Sequence, residues 1–256
     1  MPVPAASLRI LAVDEPPLAY SGERGHIDGL GAEFVRAVQS RLGDHTEIEM
    51  LPELRAMQTT EREPNVVLIG FSRTPEREQR FHWIAPLIRK PWVLYVRPDD
   101  TRKVGSVAEL GQFGSIAVVL GDVRERWLRG QGLGNLVDTG SPGQSVRLLQ
   151  TGRVEALFHE PQGVAWYCRT QGCGKLVPRA AWVARHSDVW VLMSKPGTPA
   201  DTVRRWQQAA QSVRADGSWE RMARRWSTRS RDEVGIESVW RQGLLEFCAD
   251  RASCKP

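Results

Sequence analysis

The chain alternates short apolar runs with longer segments in which apolar residues recur every three or four positions. Short apolar runs bounded by Gly, Pro and polar residues are typical of buried strands, and the longer spacing is typical of amphipathic helices. Six runs predict strands, at residues 9–13, 66–69, 92–96, 116–120, 154–158 and 189–193. Because strands and helices alternate along the chain, the pattern predicts an α/β architecture.

Helices are predicted from apolar stripes and from their end signals. The first long helix carries one stripe, which consists of Leu30, Phe34, Val38 and Leu42. In the C-terminal third, Thr198 is the expected N-cap of a helix that has Pro199 as its first residue. Asp216, Gly217 and Ser218 are expected to end this helix and to start the next one.

Composition and charge narrow the function classes. Charged residues make up 25% of the 256 positions and the hydrophobic set 41%, which is typical of a globular protein, and no apolar run is long enough to span a membrane. The net charge is +5, but the sequence has no zinc-finger, basic-heptad or RNA-binding signature, so we expect no nucleic-acid partner. The densest basic stretch, residues 221–231, is interpreted as a solvated helix end and loop.

The histidines give no support for a metal site or for catalysis. The five histidines are His26, His45, His82, His159 and His186. Their spacing is not that of a metalloprotease motif, and the sequence has no G-x-S-x-G motif of a serine hydrolase. His159 is interpreted either as a pocket residue or as a packing residue at a strand end. We expect no metal, no cofactor and no catalytic residue.

Four cysteines form two close pairs in the sequence, Cys168 with Cys173 and Cys248 with Cys254. Neither pair has the C-x-x-C spacing of a zinc site, so two local disulfides in an oxidising compartment are the favoured interpretation. Reduced, buried thiols in a cytosolic protein are the alternative. Residues 1–6 lack the basic start and apolar run of a signal peptide. We therefore expect a mature, exported form with Met1 added for expression.

The segment from Gly70 to Glu78 combines a strand end with polar residues. Gly70 ends a predicted strand, Ser72 follows it, and Arg77 lies at a predicted helix start. Strand ends of α/β sheets commonly bind ligands, and an arginine with a hydroxyl and a backbone amide suits a carboxylate. The alternative is a surface turn in which residues 74–76 cap a helix and Arg77 pairs with a neighbouring glutamate.

Five segments carry a resemblance to a known family. Residues 70–77 match the pattern G-x-[ST]-x-T-x-E-R, and the other segments are residues 8–20, 29–34, 152–161 and 216–226. Together, and in this order, they resemble the motifs of family 3 bacterial solute-binding proteins, the periplasmic receptors for polar amino acids. The resemblance covers residue 8 to about residue 228.

The resemblance implies a two-lobed, periplasmic-binding-protein-like α/β fold of type II. The expected lobes are residues 1–88 plus 190–256 and residues 89–189, joined by two hinge strands with a ligand cleft between the lobes. The ligand-binding residues that it implies are Asp14, Tyr20, Gly70, Ser72, Arg77, Gly121 and Glu160. Ser72 and Arg77 would bind the ligand carboxylate and Glu160 its ammonium, because each charge of a desolvated zwitterion needs an opposite partner.

Several residues depart from the family pattern. Gly31 stands where the signature has an acid, and Val67 where many members have aspartate. Asp122 adds a negative charge to a segment that, in other members of the family, donates hydrogen bonds to the ligand carboxylate. Residues 50–52 contain no aromatic residue, although the family pattern has its second aromatic residue in this region. These departures leave the ligand's identity open.

The resemblance implies a monomeric periplasmic protein that captures an amino acid or a related small carboxylate for an ABC importer. Three alternatives stay open. The fold also serves as the sensing module of membrane receptors, although we expect no fused transducer after Pro256. It also occurs in periplasmic enzymes similar to cyclohexadienyl dehydratase, in which Glu160 or His159 would be a general acid. A degenerate site would leave a protein-interaction module.

Overall fold

The computed structural model describes residues 7–22, 25–250 and 253–254. Residues 1–6, on which the export expectation rests, and Lys255 and Pro256 at the C-terminus lie outside the described residues. The strands are β1 (Arg9–Ala12), β2 (Tyr20–Ser21), β3 (Ile27–Asp28), β4 (Ile48–Met50), β5 (Val66–Ser72), β6 (Phe81–Val96), β7 (Ile116–Val119), β8 (Leu136–Thr139), β9 (Ala156–His159), β10 (Arg179–Ser194), β11 (Ser238–Arg241) and β12 (Leu244–Phe247).

Eight α-helices occur in this described part of the chain. They are α1 (Leu30–Leu42), α2 (Glu53–Arg62), α3 (Pro75–Glu78), α4 (Val123–Gly130), α5 (Pro142–Gln150), α6 (Pro161–Tyr167), α7 (Ala200–Ala215) and α8 (Ser218–Val234). None of the described helices has the length and apolarity that crossing a bilayer requires. The chain contains the disulfides Cys168–Cys173 and Cys248–Cys254.

The chain divides into two compact units. The first consists of Met1–Ile88, Asp188–Thr228 and Gln242–Leu245, and the second of Arg89–Ser187, Arg229–Arg241 and Glu246–Pro256. The sequence-based expectation placed residues 190–256 in the first lobe. After residue 228, however, only residues 242–245 belong to the first unit, and the rest belong to the second. Within the second unit, Glu246 accepts a hydrogen bond from Arg241 at 2.9 Å and lies 3.4 Å from His186, contacts that join this late segment to β10.

In the first unit, the strand order is β4-β1-β5-β10. β1 is parallel to both β4 and β5, with Leu11 opposite Leu68, and β10 is antiparallel to β5. Residues 66–71 of β5 are all buried, as expected for a strand between two others with both faces covered. α1 packs against α7, and Phe34 meets the edge of the Trp219 ring with centroids 5.1 Å apart.

In the second unit, the order is β6-β9-β7-β8, with β9, β7 and β8 mutually parallel and β6 antiparallel to β9. Along β6 and β9, successive side chains pack into two different hydrophobic clusters. Leu94 and Phe158 lie in one cluster, and Tyr95 and Leu157 lie in the second. Alternate residues of a strand point to opposite faces, so both faces of this sheet are covered by apolar side chains.

The predicted α/β class is confirmed, and a strand occurs at each of the six predicted runs. β6 and β10, however, extend well before the predicted positions, back to Phe81 and Arg179. Their early residues include charged side chains and two prolines, Pro86 and Pro91, which an apolar run does not reveal. The prediction that Thr198 is the N-cap is wrong, because α7 begins after Pro199. The Thr198 hydroxyl instead accepts a hydrogen bond from the backbone N–H of Asn65 at 2.9 Å.

A glycine pair fixes the start of α1 against the preceding turn. The carbonyl of Leu18 accepts hydrogen bonds from the amides of Gly31 at 2.8 Å and Ala32 at 3.2 Å. A Cβ atom at Gly29 would lie 2.3 Å from this carbonyl oxygen, and one at Gly31 would lie 2.7 Å from Cγ2 of Ile69. Gly31, the departure from the acidic signature position, is therefore a close-packing residue.

The first prediction concerns Gly29→Ala, with Gly43→Ala as control. Both glycines have positive φ angles, 133° and 64°, but no atom lies within 4 Å of a Cβ at Gly43. We expect Gly43→Ala to cost about 1 kcal/mol of unfolding free energy, from backbone conformation alone. Gly29→Ala should cost about 3 kcal/mol or more, because its methyl group also meets backbone. Urea denaturation measures both, and equal losses would contradict the contact with Leu18.

Candidate functional site

The first-unit candidates lie at one edge of the sheet, where the parallel strands β1 and β5 end. Asp14 is exposed two residues after β1, and Ser72 is the last residue of β5. Opposite β10, Ile69 pairs with Val191 and Phe71 with Trp190, so Gly70, with a φ of 90°, is a bulge residue. A bulge redirects the strand that follows it. The carboxyl ends of these strands therefore bring Asp14 and Ser72 to the same edge.

Arg77 is buried, with 7% of its surface exposed, although it lies in the short helix α3. Its Nη1 donates a hydrogen bond to the Ser72 carbonyl at 3.2 Å, and its guanidinium carbon lies 5.4 Å from the centre of the Phe71 ring. These contacts hold the guanidinium against the end of β5. The Ser72–Arg77 pair that the sequence predicted is therefore brought together.

The surface-turn alternative offered Glu78 as one partner for Arg77. Glu78 instead accepts two hydrogen bonds from Arg73, at 2.7 Å from Nε and 2.5 Å from Nη2. The Arg73 guanidinium also lies over the rings of Trp83 and Trp190, at 5.3 and 4.7 Å. The hydrogen bonds with Arg73 lower the pKa of Glu78 and raise the pKa of Arg73.

Tyr20 lies on β2 and is half-buried. Its hydroxyl donates a hydrogen bond to the Asp28 carboxylate at 3.1 Å, and its ring meets the edge of the Trp226 ring with centroids 6.3 Å apart. Trp226 in turn donates to Glu33 at 2.8 Å. The aromatic ring is therefore positioned by a polar contact at one end and by packing on its side.

The second-unit candidates also lie at the ends of parallel strands. Gly121 and Asp122 follow β7, and Glu160 follows β9, which is parallel to β7. Gly121 is exposed with a φ of 79°. Asp122 is the N-cap of α4, and its Oδ1 accepts a hydrogen bond from the Arg124 amide at 2.7 Å. Glu160 precedes α6 and is 2% exposed.

A guanidinium joins these two acids. Arg124, in the first turn of α4, forms an ion pair through Nη1 with the Glu160 carboxylate. Its Nε and Nη2 donate to the two Asp122 oxygens, at 2.8 and 2.5 Å. The imidazole Nδ1 of His159 lies 3.0 Å from Oε2 of the same Glu160. These four residues, three of them buried, form what we call the Arg124 cluster: Asp122, Arg124, His159 and Glu160.

Burial and neighbouring charges decide the protonation states in the Arg124 cluster. Burial, the charge of Arg124 and that of Lys90 together place the pKa of His159 well below its usual value, against the opposing effect of Asp122. The imidazole is therefore neutral at pH 7. For Asp122, burial alone would raise the pKa, but the charge and hydrogen bonds of Arg124 lower it to about 2. The negative charge that the sequence flagged at position 122 is thus paired with Arg124, which also contacts Glu160.

Comparison with known families decides the family. The family model of the bacterial extracellular solute-binding proteins, family 3, matches residues 8–229 of the chain. The chain belongs to this family. No curated protein sequence matches it significantly.

Solved structures share the fold of this family 3 protein at low identity. A histidine kinase sensor domain similar to periplasmic binding proteins has a TM-score of 0.76 and 19% identity, over 87% of this chain and 96% of that domain. The P235GK mutant of ArgBP from T. maritima has a TM-score of 0.69 and 16% identity, with 86% and 95% covered. The ancestral amino acid-binding protein AncCDT-1, a precursor of cyclohexadienyl dehydratase, has a TM-score of 0.68 and 17% identity, with 86% and 94% covered. The two-lobed periplasmic-binding-protein-like fold is thereby established.

Sequence reasoning missed three residues around Glu160 in this family 3 protein. Arg124 follows the flagged Asp122 by two positions, and an acid with a nearby arginine at a helix start was the available signal. A Cβ at Gly163 would lie within 2.9 Å of His159 and Glu160 side-chain atoms, so Gly163 permits their close approach to α6. Gln162 is 1% exposed, and neither its amide nitrogen nor its oxygen has a hydrogen-bond partner among the described residues.

A cavity of about 460 Å³ lies elsewhere in the second unit. Its lining includes Tyr95, Ile236 and one cysteine of each disulfide, Cys168 and Cys248. None of the seven predicted ligand-binding residues is among its described lining residues. Among all the residues that the structure describes, no group of three or more His, Cys, Asp or Glu residues is suited to a metal ion.

The second prediction is a pH dependence that originates at His159. In the unfolded chain the imidazole protonates with a pKa near 6.5, but in the folded chain it stays neutral to much lower pH. The unfolded state therefore binds the extra proton, and unfolding free energy falls as the pH drops below about 6.5, by up to about 1.4 kcal/mol per pH unit. In His159→Gln this component of the slope should be absent.

Urea denaturation between pH 5 and pH 8 measures the difference. The control is His26→Gln, because His26 is exposed. The control should retain the wild-type slope. Identical pH profiles for wild type and His159→Gln would contradict the neutral, buried imidazole.

Proposed function

We propose that this chain is an extracytoplasmic solute-binding protein that binds a small carboxylate through Arg77 and Ser72. The observation that carries the proposal is the burial of Arg77 beside the end of β5, where the Ser72 carbonyl holds its guanidinium. A buried cation at a strand end attracts an anion, and a guanidinium can donate to both oxygens of a carboxylate. Gly70 is a bulge residue two positions before Ser72 at the same end of the strand.

The remaining predicted residues complete the proposal. Asp14 lies at the same sheet edge as Ser72, and Tyr20 supplies an aromatic surface. Gly121 and Glu160 are the proposed contacts from the second unit. Family membership supports a small-molecule ligand, and two of the similar structures are described as binding proteins for arginine or amino acids.

The cellular role that we propose is delivery of the solute to an ABC importer from the periplasm. The two disulfides support an oxidising compartment, because such bonds persist outside the cytoplasm. In this class of protein, ligand binding selects a conformation that the membrane complex recognises. A monomer is sufficient for this task.

The chemistry of the Arg124 cluster argues against a dehydratase. A general acid must hold a proton that it can give to the leaving hydroxyl. His159 is neutral because its pKa is well lowered by burial and by Arg124, and Glu160 is ion-paired to Arg124. Neither side chain is therefore arranged as a proton donor.

The third prediction tests the role of Arg77. We expect Arg77→Ala to lose affinity for the carboxylate ligand by at least about 30-fold, since a buried charge-assisted pair is removed. Arg77→Lys keeps the charge without the fork of donors and should lie between wild type and Arg77→Ala. A thermal-shift screen with amino acids and small carboxylates, followed by calorimetry, measures the effect.

Arg80→Ala is the matched control. Arg80 lies two residues after the end of α3, is exposed and pairs with Glu61. The control should bind as wild type does. Unfolding midpoints without ligand separate a loss of binding from a loss of folding. Wild-type affinity in a folded Arg77→Ala variant would contradict the proposal.

A further inference from the structure

A cavity of about 460 Å³, which we call the Tyr95 cavity, lies within the second unit. Its described lining comes from β6, from α6 and the segment between α6 and β10, and from residues 234–237 and 248–250. All of these residues belong to the second unit. The Tyr95 cavity is therefore formed by one unit alone, and none of its described lining residues belongs to the strand end that holds Arg77.

The Tyr95 cavity is too large to be a packing defect. Protein interiors contain few voids larger than a water molecule. An apolar cavity of about 150 Å³ in another protein holds benzene, and small-molecule pockets range from about 300 to 1,000 Å³. A volume of about 460 Å³ is sufficient for a compound with two fused aromatic rings.

The walls of the Tyr95 cavity are mainly apolar. The apolar lining consists of Pro161, Val164, Ala165, Val177, Pro178, Val234, Ile236 and Ala249, with Cys168 and Cys248 of the two disulfides. Val164 and Ile236 are buried, whereas Val177 is 54% exposed. The cavity thus has a buried apolar interior and reaches the surface at Val177, so a ligand can enter and remove apolar surface from water.

Each disulfide fixes one wall of the Tyr95 cavity. The bond from Cys168 to Cys173 closes the turn that follows α6, and the bond from Cys248 to Cys254 closes the turn that follows β12. One cysteine of each bond lies in the lining. A wall that is covalently constrained is already ordered before a ligand binds, which lowers the entropic cost of binding.

Tyr95 supplies a buried polar side chain among the described lining residues. It is 3% exposed, and its ring packs with Leu157 and Val164 in a hydrophobic cluster. Its hydroxyl forms no hydrogen bond within residues 7–22, 25–250 and 253–254. Burial and the charge of Asp250 both raise the pKa of Tyr95, so the hydroxyl keeps its proton at neutral pH. It is therefore available as a donor to an acceptor atom of a ligand.

The charged lining residues favour an uncharged ligand. Two acids and one base are described there, and all three are exposed: Glu237, Asp250 and Arg169. Asp250 lies close enough to Tyr95 to affect the pKa of its hydroxyl. A ligand carboxylate at the hydroxyl would face the like charge of Asp250, and an ammonium has no lone pair to accept the phenolic proton. A neutral carbonyl oxygen meets neither difficulty.

We propose that the Tyr95 cavity is a second ligand site, which takes a small uncharged compound of about two fused rings with one acceptor oxygen, such as an aromatic ketone or ester. The rings lie against the apolar wall of α6 and residues 234–237, and the acceptor oxygen receives a hydrogen bond from Tyr95. This site is separate from the carboxylate site proposed at Arg77, and it takes a different class of ligand.

The experiment uses Prodan, a neutral naphthalene ketone whose fluorescence reports the polarity and hydrogen bonding of its surroundings. The protein is titrated into a fixed, low concentration of the probe. We expect saturable binding with a dissociation constant of about 0.1 mM or lower for a ligand of this size. Acetylnaphthalene should displace the probe, whereas naphthoate, its anionic analogue, should compete at least about 10-fold more weakly.

Tyr95→Phe removes the hydroxyl and keeps the ring. This variant should bind acetylnaphthalene about 5-fold more weakly, because one hydrogen bond is lost, and ethylnaphthalene, which has no acceptor, as tightly as the wild type. Bound Prodan should emit at a shorter wavelength. The urea midpoint of Tyr95→Phe should equal or exceed that of the wild type, since the hydroxyl has no described protein partner to lose.

Tyr167→Phe is the matched control for the hydroxyl. Tyr167 belongs to the same unit and lies outside the described lining, and its hydroxyl accepts from Arg147 at 3.4 Å. Ala165→Phe tests the location, because a phenyl group on this wall of α6 fills the space that the probe needs. It should abolish Prodan binding. Thr170→Phe, at an exposed position outside the lining, should bind the probe as the wild type does.

Four outcomes would overturn the inference. The site is refuted if Prodan shows no saturable binding to the wild type. Equal binding to the wild type and to a folded Ala165→Phe variant means adventitious binding to the surface only. Unchanged affinity of Tyr95→Phe for acetylnaphthalene contradicts the role of the hydroxyl, and naphthoate that binds as tightly as acetylnaphthalene contradicts the preference for an uncharged ligand. None of these results bears on Arg77, because carboxylate binding there is measured separately.

Discussion

The ion pair between Arg124 and Glu160 controls the chemistry of the second unit. A buried carboxylate is costly unless its charge is compensated, and here the compensation comes from the helix that starts after the neighbouring parallel strand. The same guanidinium fixes Asp122 as the cap of α4 and lowers the pKa of that acid. Its charge also helps to keep His159 neutral. One side chain thus contacts both acids and affects the pKa values of Asp122 and His159.

The first unit holds its cation differently. Arg77 is buried against the Phe71 ring, and a backbone carbonyl, that of Ser72, accepts from its guanidinium. This contact orients the guanidinium at the end of the strand. The neighbouring Arg73 shows the contrast, because it forms a two-point ion pair with Glu78 and stacks on two tryptophans. Two arginines four residues apart therefore make different contacts.

Departures from a family pattern acquire meaning once their neighbours are known. Gly31 replaces an acid because its Cβ position is filled by Ile69 and by the Leu18 carbonyl. Asp122 introduces a charge that Arg124 compensates two residues later. Both substitutions look like losses of function when the motif is considered alone. In the fold, the first is a packing requirement and the second is half of an ion pair.

The sequence by itself determined the α/β class, the position of the six strands, the cysteine pairs and the association of Ser72 with Arg77. These features depend on short-range patterns, such as apolar runs, close spacing and a motif of eight residues. Tertiary structure alone decided that Arg124 meets Glu160, because the parallel pairing of β7 with β9 joins positions 36 residues apart. It also decided the lengths of β6 and β10 and the division of the C-terminal segment, since those depend on partners far along the chain. Local patterns record what a segment is able to form, whereas the pairing of buried charges depends on which strand ends the sheet brings together.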